Sequence, residues 1–202
     1  SADRNFSYIP DCSDLPIRED ASYLYICQNN TIYGTRFPEL PNAKGHVLVA
    51  DQSSMFLSEP VDVTRYGLIH AGVQKNVGPA GVQIVIVRED LIPDDLPGVP
   101  TMLRLRTQAD AGSLYNTPNC WGIYVCGLVF EWIGGLAAMG ERNAEKAKVL
   151  YDFLDESELF SSTVEERDRS LMNVPFVTGD DELDAAFVRE AAAAGLVNLK
   201  GH

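Results

Sequence analysis

Lys75 stands where a strand-like run, residues 67–71 (GLIHA), gives way to Gln74-Lys75-Asn76-Val77 and then to the turn Gly78-Pro79-Ala80-Gly81. The segment is not a Walker A loop, because the lysine precedes the glycines and no Gly-Lys-Ser/Thr follows. In a desolvated site the charged ammonium is disfavoured, and a neutral amine is what Schiff-base chemistry with an aldehyde cofactor requires. The competing reading is a solvated loop lysine. Asp51 directly follows another apolar run, residues 46–50 (HVLVA), and the ends of strands are where α/β sheets place groups that contact ligands. Pyridoxal phosphate chemistry needs one residue of each kind: a lysine for the aldehyde, and a carboxylate to keep the pyridine nitrogen protonated so that the ring draws electrons. A turn-forming aspartate is the alternative for Asp51.

Thr31 follows the run ASYLYICQNN, so its hydroxyl is placed to reach a ligand's ring oxygen or to close a local turn. Asn116 and Thr117 open a helix, where side-chain donors and free N–H groups suit a phosphate, although N-capping explains Thr117 equally well. Cys12, Cys27, Cys120 and Cys126 form no CxxC pair and are too dispersed for a zinc knuckle. They read as reduced thiols of a cytoplasmic protein, with no metal site.

These residues need a sheet to hold them. Residues 21–27 (ASYLYIC), 46–50, 67–71 and 82–88 (VQIVIVR) are short β-branched and aromatic runs bounded by turn residues, and read as buried strands. Residues 72–81 are too few for a helical crossover, so the sheet is expected to be mixed rather than purely parallel. Thr117-Pro118 reads as a cap and first-turn proline. The helix that follows carries Trp121, Val125, Leu128, Val129 and Trp132 on a core-facing stripe, with an amphipathic continuation over 141–154. Beyond Leu171, LMNVPFV reads as a strand, Asp180-Asp181 as a cap, 182–194 as an Ala-rich helix and Gly195 as its stop. The fold class is therefore α/β with a mixed sheet, divided near residues 134–141.

The 202 residues carry sixteen Lys and Arg against twenty-nine Asp and Glu, a net charge of −13. That field repels polyanions and argues against nucleic acid and anionic membranes as partners. No apolar run reaches the ~18 residues of a membrane span, and SADRNFSYIPD lacks a signal pattern. The loop-like start without methionine and the stop at Leu199-Lys200-Gly201-His202 suggest a piece of a longer enzyme.

Together the segments resemble the phosphoserine aminotransferases, a family of fold-type I pyridoxal phosphate enzymes. The resemblance is carried by NTIYG (30–34), ADQSS (50–54), LSEPVDV (57–63), and most specifically YGLIHAGVQKNVGPAG (66–81). YNTP (115–118), MNVPF (172–176), Gly195-Leu196 and LKGH (199–202) extend it over nearly the whole chain from about Ser22. It implies that residues 1–136 are the second half of a three-layer large domain and 137–202 most of a small α/β domain. Lys75 would hold the cofactor and move a proton between substrate and cofactor carbons. Asp51 would face the ring nitrogen, Thr31 the ring's oxygen side, Gln74 the phosphate, and His202 the substrate. Asn116 and Thr117 would complete a neighbouring subunit's phosphate site, so the resemblance implies a homodimer. The activity implied is transamination between phosphoserine and 2-oxoglutarate, yielding phosphohydroxypyruvate and glutamate, in serine biosynthesis. The alternatives are a cysteine desulfurase-like or alanine-glyoxylate-like enzyme, or a non-catalytic fragment. The family's glycine-containing phosphate loop, its ring-stacking aromatic residue and its carboxylate-binding arginine segment have no counterpart in these residues, so the 202 residues alone are expected to bind cofactor weakly.

Overall fold

The computed structural model describes residues 2–94 and 96–200. Strands β1 (Tyr23–Cys27), β2 (Val47–Asp51), β3 (Leu68–Gly72) and β4 (Gln83–Val87) form one sheet in that order. β1, β2 and β3 run parallel, and β4 returns antiparallel to β3, with Ala71 opposite Ile84. The sheet is therefore mixed, as the short 72–81 connection requires. Alternation along the strands sends Ile26, Leu48, Ala50, Ile69 and Ala71 to one face. There they pack with Phe56, Tyr66, Val73, Val77 and Cys126 as the main core.

The opposite face carries Tyr23, Tyr25, Val49, His70 and Val85. It stays largely open, with Leu91 and Leu105 lining one end of a 390 Å³ groove along it. Of a three-layer arrangement, the described residues thus supply the sheet and the cover on one side.

Beyond the sheet come α1 (Leu105–Asp110), α2 (Cys120–Ile133), α3 (Leu136–Glu156) and α4 (Asp181–Ala193), with the two-residue strands β5 (Ser161–Ser162) and β6 (Phe176–Val177) paired antiparallel. Three sequence expectations need correction. The cap of α2 is Asn119, whose side chain accepts from the Gly122 N–H, and not Thr117. Trp121 and Trp132 are 66% and 62% exposed, so the aromatic stripe is not core in this chain; Gly122 and Cys126 are what α2 buries. The run from Leu171 is mostly turn, because Ser170 Oγ takes the N–H groups of Met172 and Asn173 and leaves only Phe176–Val177 for pairing. The break between α2 and α3 falls at Gly134 and Gly135, whose φ values of 66° and 124° side chains rarely tolerate. Asp180 caps α4 through the Glu182 and Leu183 N–H groups, and Gly195 follows its end at φ 90°.

A second cluster joins α3 to the following loop: Ala147, Tyr151 and Leu154 pack with Phe160, Leu171 and Val174. The Arg169 guanidinium lies 4.5 Å over the Tyr151 ring and grips Asp155 with two bonds. Burial pushes the Tyr151 phenol up to about 12, and its O–H donates to the Ser170 carbonyl at 2.9 Å. The fold therefore holds this proton more tightly than an unfolded chain, whose tyrosines titrate near 10. Its contribution is whole below pH ~10 and is lost as pH rises toward ~12. The urea midpoint is expected to drop across that window. Tyr151→Phe should be about 1 kcal/mol less stable below it and show a shallower fall through it; parallel curves for the two proteins would contradict this.

Candidate functional site

The C-terminal ends of β1, β2 and β3 bring the chemistry together. Register places Cys27 beside Asp51 and Asp51 beside His70, in one row on the open face. Asp51 is the last residue of β2. Its Oδ1 accepts from Ser53 N (2.8 Å) and Ser53 Oγ (2.6 Å), while Ser53 Oγ in turn accepts from the Gly72 N–H at 3.0 Å. The aspartate is thus a turn former through one oxygen, and Oδ2 takes no hydrogen bond among the described residues.

Just beyond β3, residues Val73–Lys75 make one 3-10 turn, and Val73 O accepts from Asn76 N, Val77 N and Gly78 N. That turn aims Lys75 across the strand ends, where Nζ donates to Thr31 Oγ1 at 2.7 Å. Thr31 does not use its hydroxyl to close its own loop. Asn30 does that work, its Oδ1 accepting from the Ile32 and Tyr33 N–H groups. Gly34 ends the loop at φ 71°, and a Cβ there would press on the Pro175 ring and come within 2.9 Å of the Asn173 carbonyl.

Electrostatics tie the pieces together. Burial pushes the Cys27 thiol up, Asp51 adds to that, and Lys75 opposes it, so the thiol feels both charged groups. Burial raises the Tyr25 phenol as well, again with Asp51 adding to the effect. Lys75 and Gln74 are themselves exposed, so burial in this chain does not supply the desolvation considered for the lysine. Between the Thr31 loop and α4 lies a cleft of 1010 Å³ whose walls include Thr31, Asn173, Phe176 and Asp184.

The amine, the hydroxyl and the carboxylate therefore share one end of the sheet. Asn116 and Thr117 remain apart from them by contact: both are exposed, and Asn116 Nδ2 donates to the Thr117 carbonyl. His202 lies outside the described residues. Sequence reasoning missed Ser53, although its position two residues beyond Asp51 is the signature of a side-chain-closed turn. It also missed Asn29, for which no local pattern speaks.

Cys12, Cys27, Cys120 and Cys126 are free thiols. Among the described residues no His, Cys, Asp and Glu cluster could hold a metal ion, and no single helix is long and apolar enough to cross a membrane. The residues present suit pyridoxal phosphate by donor chemistry: an amine for an aldehyde, a carboxylate oxygen left open for a ring nitrogen, and a hydroxyl beside the amine.

Comparison with known proteins gives the same picture. The family model "Aminotransferase class-V" matches residues 3–202. The phosphoserine aminotransferase of Listeria innocua is 52% identical over 206 residues, covering 100% of this chain and 55% of the relative. A phosphoserine aminotransferase structure from work on radiation damage to its Schiff base superposes with a TM-score of 0.97 at 43% identity, covering 100% of this chain and 57% of that one. The enzyme from Bacillus circulans subsp. alkalophilus gives 0.96 at 40% identity, with the same coverage. The chain spans about half the length of the curated relatives it matches.

Proposed function

The chain belongs to the class-V aminotransferase family, and from that premise we propose that the whole protein transfers an amino group between O-phospho-L-serine and 2-oxoglutarate, with pyridoxal phosphate as cofactor, in serine biosynthesis. The observation that carries this reading is the Lys75 amine held against the Thr31 hydroxyl at the strand ends that also carry Asp51. When bound, pyridoxal phosphate supplies an aldehyde for an amine to attack and a ring that withdraws electrons. Lys75 is the attachment amine and the group that carries a proton to and from the substrate carbon. Asp51 presents Oδ2 to the ring nitrogen, Thr31 binds the ring's oxygen side, and Gln74 donates to the phosphate.

We read Asn116 and Thr117 as donors to a second subunit's phosphate site. Their exposure, and the exposed apolar side chains Trp121, Tyr124 and Trp132 on the helix that follows, support a homodimer. His202 is assigned to the substrate on sequence resemblance. Residues 1–136 and 137–202 are read as parts of a large and a small domain. Four free thiols favour a cytoplasmic protein.

The test is turnover by the whole protein with added pyridoxal phosphate. Glutamate is expected from phosphoserine plus 2-oxoglutarate, with no sulfide from cysteine and little transfer from alanine to glyoxylate. Preference for either of those substrates would overturn the assignment.

A further inference from the structure

Asn29 is 2% exposed and lies two residues before Thr31. Its amide uses both N–H donors and its carbonyl oxygen. Nδ2 donates to Ser54 Oγ at 2.7 Å and to Asn173 Oδ1 at 2.8 Å, and Oδ1 accepts from Ser170 Oγ at 2.5 Å. Ser54 Oγ donates back to the Asn29 carbonyl at 3.0 Å. Ser170 is 0% exposed and is equally committed, since its Oγ also takes the Met172 and Asn173 N–H groups.

These bonds cross a long sequence gap and meet at the base of one loop. Asn29 faces Arg36 in an antiparallel bridge, Thr35 faces Arg169 in another, and the Ser170 N–H donates to the Gly34 carbonyl at 2.8 Å. The loop from Asn30 to Gly34, with Thr31 on it, is thereby held between β1 and the 168–173 segment. That same segment supplies Asn173 to the wall of the cleft beside Thr31. A fully satisfied buried polar network permits one arrangement and penalises departures from it.

We infer that Asn29 is a positioning residue: by bonding Ser54, Ser170 and Asn173 at once it locks the 168–173 segment to the Thr31 loop and fixes the Thr31 hydroxyl opposite the Lys75 amine. The inference deepens the functional reading and rests on its pairing of Lys75 with Thr31, but does not depend on which cofactor the amine receives.

The test needs no cofactor. Folded protein is treated briefly with acetic anhydride, and acetylation of each lysine is followed by peptide mass spectrometry. In Asn29→Ala the Lys75 rate is expected to rise about fivefold relative to Lys148, the change that follows when a restraint worth one net hydrogen bond is lost. Asn143→Ala is the control. Asn143 is also 2% exposed and donates to the Ser58 carbonyl from α3, so its loss should lower thermal stability without changing the Lys75 rate. Should Asn29→Ala fail to fold, Ser170→Ala and Asn173→Ala each remove part of the network and should each accelerate Lys75, with a double variant that is not additive. An unchanged Lys75 rate in these variants, or equal acceleration in Asn143→Ala, would overturn the inference. A parallel arm, pyridoxal phosphate followed by borohydride, tests the cofactor reading separately: absence of the pyridoxyl adduct on wild-type Lys75 would count against that reading while leaving the acetylation result intact.

Discussion

Lys75→Ala is expected to remove transamination by the whole protein, lowering turnover by at least about 10⁴-fold. Two roles are lost with one amine. General acid–base transfer alone contributes about 10²–10⁴-fold, and covalent attachment splits a difficult exchange into easier steps. Stability should hardly move. The side chain is exposed, and its bond to Thr31 is an exposed one, so the loss is within about 1 kcal/mol. The measurements are glutamate formation from phosphoserine and 2-oxoglutarate, the absorbance of protein with added pyridoxal phosphate, and a thermal melt. A variant that melts normally yet keeps both turnover and the lysine-dependent band would remove Lys75 from the proposed role. Loss of turnover together with loss of folding would show that the lysine serves structure first.

Much of the scaffold around that lysine is legible without coordinates, for identifiable reasons. The four strands are short β-branched runs closed by turn residues, and the brevity of 72–81 dictates the antiparallel return of β4. Legibility fails where tertiary partners decide. Periodicity groups Trp121, Leu128 and Trp132 on one helix but says nothing of what covers them, and all three stay largely exposed, with the Arg142 guanidinium 4.9 Å over the Trp132 ring. Thr117-Pro118 has the chemistry of a helix start. The chain begins the helix two residues later because Asn119 can reach the Gly122 N–H.

The site divides in the same way. Lys75, Asp51 and Thr31 are recognisable as strand-end residues, yet the contact between Lys75 and Thr31 requires β1, β2 and β3 to lie side by side in parallel. The bonds from Asn29 to Ser170 and Asn173 are less accessible still. They pair residues more than a hundred positions apart, and the sequence marks each only as one polar residue among many.

Asp51→Asn should lower turnover of the whole protein on the order of 10³-fold while leaving the fold nearly unchanged. The substitution is chosen for what it preserves. Oδ1 accepts from Ser53 N and Ser53 Oγ, and an asparagine carbonyl accepts both, so the turn after β2 survives. What changes is the second position, where Oδ2 stands without a hydrogen bond among the described residues and an amide would replace a negative oxygen. A protonated ring nitrogen needs an opposite charge beside it. At ~4 Å, with an effective dielectric near 20, such a pair is worth about 4 kcal/mol, which is about a thousandfold in rate if the loss falls on the transition state. Ser53→Ala supplies the complement, removing the bonds to Asp51 Oδ1 and from Gly72 N while keeping the charge; it should cost about 1 kcal/mol of stability and little turnover. The discriminating result is the comparison of the two variants in thermal melts and in the phosphoserine assay. If Asp51→Asn kept more than about a tenth of wild-type turnover, less than 1.4 kcal/mol would separate the two enzymes. Asp51 would then be a turn former alone, and the ring nitrogen would have to find its counter-charge elsewhere.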